Sequence, residues 1–143
     1  MEIVGLLAVV GLAAVGGLHA VWAFSPWPAT DRTTLAKVVL GDEGEGFPWG
    51  PACIAMAAVL GSAGYVVAVR SGLLPPVGPA QLYTAGAWVI AAVLLARGAV
   101  FPAVVTLRGT WSQEFRTWDL KVYAPVCLAL GGLTLAVALG GQG

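Results

Sequence analysis

The sequence predicts an all-α integral membrane protein, a four-helix bundle with a short interfacial helix before the fourth span. Three observations predict it. Apolar residues make up 59% of the 143 residues, and Asp, Glu, Lys and Arg together make up 10%, against about 25% charge in an ordinary soluble domain. Mean hydropathy is +0.88. Four stretches without a charge, residues 3–30, 46–69, 71–96 and 122–143, each reach the roughly 20 apolar residues that a spanning helix needs. Seven acids balance seven bases. A disordered segment, a disulfide scaffold and a nucleic-acid binder are excluded, since each needs a different balance of polar, Cys or basic residues. One transmembrane domain over 1–143 is expected, with spans near 4–24, 52–69, 82–107 and 123–139 after trimming at Pro, Gly and interface aromatics.

Each span has Leu, Ala and Val at all azimuths rather than on one stripe, as a helix held in lipid and protein should. The first span lacks a basic segment before it, and its apolar run exceeds the roughly 7–15 residues of a signal peptide, so it reads as retained. The first connection, residues 25–50, carries Pro26, Trp27 and Pro28 at one end and Phe47, Pro48 and Trp49 at the other, with Asp42, Glu43 and Glu45 among glycines between them. Tryptophan at both ends suits an interfacial belt. The acidic spacing misses the EF-hand pattern and reads as a solvated turn. The second and third spans are joined by a Pro-rich turn containing Pro75, Pro76 and Pro79. Small residues four apart, Ala13 with Gly17, Ala57 with Gly61 and Ala87 with Ala91, allow helices to pack closely.

In the third connection, Thr110 followed by Gln113 reads as a capping box, and Trp111, Phe115, Trp118 and Val122 recur at helical spacing. This predicts the short interfacial helix, its apolar face in the headgroup region. Arg32, Lys37, Arg108, Arg116 and Lys121 lie in the first and third connections and Arg70 alone in the second. The excess of bases puts the first and third connections in the cytoplasm and both termini outside.

Arg97 is out of place, an arginine inside the third span beside Val93, Leu94, Leu95 and Phe101. An isolated Arg at a helix centre costs about 2.5–3.5 kcal/mol on insertion scales, so such residues face the bundle and find partners. It lies about 9 Å beyond the midpoint of its span, and His19, the one histidine, lies roughly 8 Å off the centre of the first, toward the same side. Trp22 follows His19 by three residues on the same helix face, and Asp119 and Tyr123, four apart, share a face at the start of the fourth span. One arrangement gathers His19, Arg97, Asp119 and Tyr123 into a polar cluster with Asp119 as counter-ion to Arg97. In the other, Arg97 snorkels to the interface, Asp119 ends the surface helix and His19 bonds a backbone carbonyl.

His19, Trp22 and Ala23 in LHAVWAF, Arg97, and FRTWDLKVYAPVCLALGG from Phe115 through Asp119, Tyr123, Pro125, Cys127 and Leu128 to Gly132 resemble a bacterial family catalogued as domain of unknown function 3995. The resemblance covers nearly the whole chain, the first connection and the C-terminal tail matching least. It implies a small four-helix membrane protein of the bacterial plasma membrane and the same choice of residues, and it supplies no mechanism.

The polar cluster suits a non-catalytic accessory subunit or a lipid- or quinone-binding module, Arg97 meeting an anionic or carbonyl headgroup. The alternative is a small membrane enzyme on a lipid-like substrate, with His19 as general base oriented by Asp119 and Arg97 stabilising developing negative charge. Neither a nucleophile motif nor a metal-ligand set accompanies these residues. Cys53 and Cys127, near the same end of parallel helices, suggest a third reading as a thiol-redox or disulfide pair, but they lack C-x-x-C spacing, and buried Cys more often behaves as a small apolar residue. No cofactor is expected, since a single His excludes bis-histidine haem within one chain and leaves His19 with Met56 as the one formal pair. The partners expected are membrane lipid, with a quinone or a larger membrane complex, and no nucleic acid.

Overall fold

The computed structural model describes residues 1–140; residues 141–143, the end of the single expected domain, lie outside the described residues. In chain order the elements are α1 (Glu2–Phe24), α2 (Arg32–Val39), α3 (Trp49–Arg70), α4 (Ala80–Arg108), α5 (Gln113–Trp118), a π-helical turn (Asp119–Tyr123) and α6 (Ala124–Gly140). Four helical runs, α1, α3, α4 and Gln113–Gly140, are long and apolar enough to cross a membrane. The protein is a multi-pass membrane helical bundle.

Pairing follows the connections. α1 lies chiefly against α3 and α4 chiefly against α6, while α3 with α4 and α1 with α6 close the ring. The buried centre is Ala8, Leu12, Val67, Leu130 and Val137, with Thr134 fully buried and its hydroxyl donating to the Leu130 carbonyl at 2.8 Å. Outward-facing Ile3, Leu7, Val59, Val89, Val93 and Leu139 are exposed, as lipid-facing residues are.

Where apolar faces gain nothing by leaving lipid, shape decides the contact. A Cβ on Gly98 of α4 would stand 2.6 Å from Leu128 Cγ and 2.9 Å from the Leu128 backbone nitrogen; one on Gly131 of α6 would stand 2.9 Å from Leu95 Cγ and 3.0 Å from its nitrogen. Each helix thus lays its backbone into a notch in the other. Of the small pairs expected from sequence, Ala87 and Ala91 are buried, but Gly17 and Gly61 meet no neighbour within 4 Å. The close approach uses single glycines instead, which a search for small residues four apart passes over.

The element absent from the sequence reading is α2, inside the first connection. Asp31 accepts from the Thr34 amide at 2.7 Å, capping it, and Leu35 and Ala36 are buried, with Leu35 against Trp22 and Cys53. The interfacial α5 is present, with a different cap: Ser112, not Thr110, accepts from the Phe115 amide at 3.1 Å. Position N3 is then Phe115, so there is no capping box. The acidic segment is a turn in which Gly41, Gly44 and Gly46 take positive φ and Asp42 accepts from the Gly44 amide at 2.7 Å. At the opposite end of the bundle Arg70 donates to the Ala138 carbonyl at 3.1 Å, a cation at the C-terminus of α6.

Two expectations follow. Gly98→Ala should cost about 1–3 kcal/mol by overpacking, whereas Gly17→Ala, facing open space, should be neutral or stabilising by up to about 1 kcal/mol; unfolding in detergent micelles distinguishes them. The Thr34 backbone hydrogen bond holds the Asp31 carboxyl below the usual carboxylate range. A depressed folded value means that the cap's contribution is present above the unfolded pKa and lost as pH falls through the folded one. The protection of the α2 amides relative to their intrinsic exchange rate should therefore fall on acidification, and Asp31→Asn should flatten that dependence.

Candidate functional site

The site begins with the placement of Arg97 in α4. Gly98, the next residue, is flush against α6, while the Arg97 side chain stays partly exposed. It runs along α4 toward the loop end, where its Cζ lies 4.2 Å from the Phe101 ring centroid, one helical turn further on. A ring face under a guanidinium contributes about 0.5–2 kcal/mol. From there Arg97 Nη2 reaches Asp119 Oδ1 at 2.8 Å.

Asp119 is brought inward by the π-helical turn. Pro125 has no N–H to give the Lys121 carbonyl, and the Ala124 amide bonds the Asp119 carbonyl instead. The widened turn faces the Asp119 side chain into the bundle, where it is 1% exposed, while Arg97 keeps 29%. The two groups are in ion contact without good alignment: Asp119 Oδ1 and Oδ2 and Arg97 Nη1 are buried with no well-directed hydrogen bond. Separation governs the Coulomb attraction and direction governs the hydrogen-bond share. At 2.8 Å the attraction is in place and part of the hydrogen bonding is not.

Aromatic rings wall the pair. Phe101 meets Trp111 at 5.9 Å and Phe115 at 6.3 Å, and Phe115 meets Tyr123 at 6.1 Å between centroids. The Tyr123 hydroxyl donates to the Val38 carbonyl at 3.1 Å, Ser112 Oγ donates to the Lys37 carbonyl at 2.8 Å, and the Ser112 amide donates to the Gly41 carbonyl at 3.0 Å. These contacts take up carbonyls at the C-terminus of α2 and fix the first connection to the third.

His19 stands in a different group. Its Nδ1 lies 2.8 Å from the Val15 carbonyl in its own helix, and since a carbonyl oxygen only accepts, Nδ1 carries the hydrogen. Its ring meets Trp22 edge to face at 5.1 Å. Trp22 donates its indole N–H to the Trp27 carbonyl at 2.9 Å, and the Trp22 carbonyl accepts from Arg32 at 2.8 Å, which caps the end of α1. Arg32 also covers the Trp49 ring at 5.5 Å.

The four-residue cluster expected from sequence therefore divides. Arg97 and Asp119 meet, with Tyr123 joined to their wall through Phe115; His19 pairs with Trp22 and bonds its own backbone. No hydrogen bond or ion pair joins His19 to Arg97 or Asp119 among the described residues. The divergence has a topological cause, because α1 and α4 occupy diagonal corners of the ring. The acid–base arrangement of the enzymatic alternative, with Asp119 orienting His19, is not assembled. Features of both sequence-level arrangements coexist: Arg97 snorkels, and it does so onto a carboxylate. Cys53 and Cys127 are free thiols. Phe101 is the functional contact that the sequence reading left without a role, and its position four residues after Arg97 is the signal for it. Two shallow surface hollows, one along residues 40–48 and one on Gln113, Glu114, Thr117 and Trp118, are not lined by Arg97.

Removing one partner strands the other charge. Arg97→Leu should destabilise the detergent-solubilised fold by about 3 kcal/mol, the lower end for a buried pair because the guanidinium keeps some exposure. Arg97→Leu with Asp119→Leu should recover much of that loss; equilibrium unfolding of the four proteins of the cycle measures both.

The family described as Protein of unknown function (DUF3995) matches residues 12–134, a stretch holding all five candidate residues. No curated protein and no solved structure matches the chain. The chain belongs to the DUF3995 family.

Proposed function

We propose that this protein is a non-catalytic module of the bacterial plasma membrane, an accessory subunit or a lipid- or quinone-binding protein, with Arg97 as the group that meets a headgroup oxygen. The observation that carries this reading is the asymmetry of the ion pair: Asp119 is closed off at 1% exposure, while the guanidinium retains 29% at the loop end of the bundle. An arginine there offers a planar fork of donors suited to phosphate or carbonyl oxygens. The separation of His19 from Asp119 supports binding over catalysis, since a general base needs an orienting partner and a reachable proton. The basic residues Arg32, Lys37, Arg108, Arg116 and Lys121 of the first and third connections support a cytoplasmic placement of that end, with both termini outside.

Native mass spectrometry of protein released from its own membrane in mild detergent tests the reading. Wild type should retain a lipid, a quinone or a partner subunit. Arg97→Lys, which keeps the charge and loses the fork, should retain less with unchanged helical circular dichroism. Bare wild-type protein, or a retained mass indifferent to Arg97, overturns it; so does a turnover that His19→Ala abolishes.

A further inference from the structure

The pairing of Asp119 with Arg97 changes the charge of the surface above it. Of the acids in the third connection only Glu114 is left outward, against the exposed Arg108 and Lys121 and the half-buried Arg116. None of these three bases has an ion-pair partner among the described residues, where the ion pairs are Lys37 with Glu43 and Arg97 with Asp119. The first connection, at the same end of the bundle, has the reverse excess: Asp31, Asp42, Glu43 and Glu45 against Arg32 and Lys37. The two connections at the loop end thus carry opposite excesses, acidic in the first and basic in the third.

Apolar groups accompany the bases. Between Gln113 and Val122 only Phe115 and Asp119 are buried, so this segment holds the bundle by one narrow face. Leu107, Trp118 and Leu120 are left 86%, 48% and 57% exposed beside Arg108 and Lys121. Bases flanking exposed Trp and Leu at the end of spanning helices form an interfacial surface: the rings and aliphatic groups enter the acyl boundary, and the cations stay at phosphate level.

We infer that the outer face of the third connection, Leu107 and Arg108 with Trp118, Leu120 and Lys121, is a docking surface for anionic phospholipid headgroups. Charge complementarity selects the occupant. A zwitterionic headgroup brings its own ammonium and gains little from the unpaired Arg108 and Lys121, whereas a net negative phosphate attracts them. The acidic first connection repels the same lipids, so the anionic shell forms at the third connection. This inference shares with the proposed function only the placement of α5 at the headgroups, and it stands on residues other than Arg97.

The experiment reconstitutes the full chain in nanodiscs of mixed phosphatidylglycerol and phosphatidylcholine and measures the ratio of the two lipids retained, by native mass spectrometry. Wild type should retain phosphatidylglycerol above its share in the mixture. Arg108→Gln and Lys121→Gln, at exposed positions, should each lower that enrichment about fivefold, and salt added at reconstitution should lower it further. Asp42→Asn with Glu43→Gln should leave it unchanged or raised. Absence of enrichment in wild type, which would leave the bases for an acidic protein, overturns the inference, as does enrichment that survives Arg108→Gln with Lys121→Gln. Enrichment lost with Arg97→Lys alone also overturns it while supporting the headgroup role of Arg97; a headgroup role lost with the surface enrichment intact has the opposite meaning.

Discussion

The contact of Arg97 with Asp119 is the constraint from which the loop end of this protein takes its form. A charge within a spanning helix is costly until it is met, and α4 has no acid of its own. The counter-charge comes from the start of the fourth span, and reaching it requires both a side chain laid over Phe101 and a turn that faces Asp119 inward. That turn also carries Tyr123, whose hydroxyl holds the end of α2. One electrostatic requirement inside the bundle therefore extends, through five residues of backbone, to the position of a surface helix.

The rest of the bundle is held by different means. In its middle the helices offer each other no more than lipid would, and association rests on backbone approach at Gly98 and Gly131, with Gly86 opposite Val66. Polar contacts cluster at the two ends, Arg70 on the Ala138 carbonyl at one and Arg32, Ser112 and Tyr123 on carbonyls at the other. This division places specificity where water and headgroups compete for hydrogen bonds and leaves the middle to shape.

The four spans and α5 were legible in the sequence because length without charge and aromatic spacing are one-dimensional signals. α2 was not: its eight residues mix Thr, Lys and Arg with Leu and Ala, and its reason to form is the tertiary contact of Leu35 with Trp22 and Cys53. The cap at Ser112 was missed because Thr110 offered a better-known pattern two residues earlier. Of the candidate site, the meeting of Arg97 with Asp119 follows from depth and charge, which a sequence carries. The separate fate of His19 depends on which helices share an edge of the ring, which equal depth does not specify. Arg97 and His19 lie at similar levels on diagonal helices, and a count along each helix has no term for that.

The wide turn at Asp119–Tyr123 bears on how the fourth span is drawn. A single helical wheel over Gln113–Gly140 assigns wrong neighbours, because the extra residue offsets the azimuth of everything before Tyr123 from everything after it. Two wheels are needed, joined at that point, and a one-residue deletion there would close the wide turn into an ordinary α-helical one, leaving Phe115 and Trp118 on the faces they occupy.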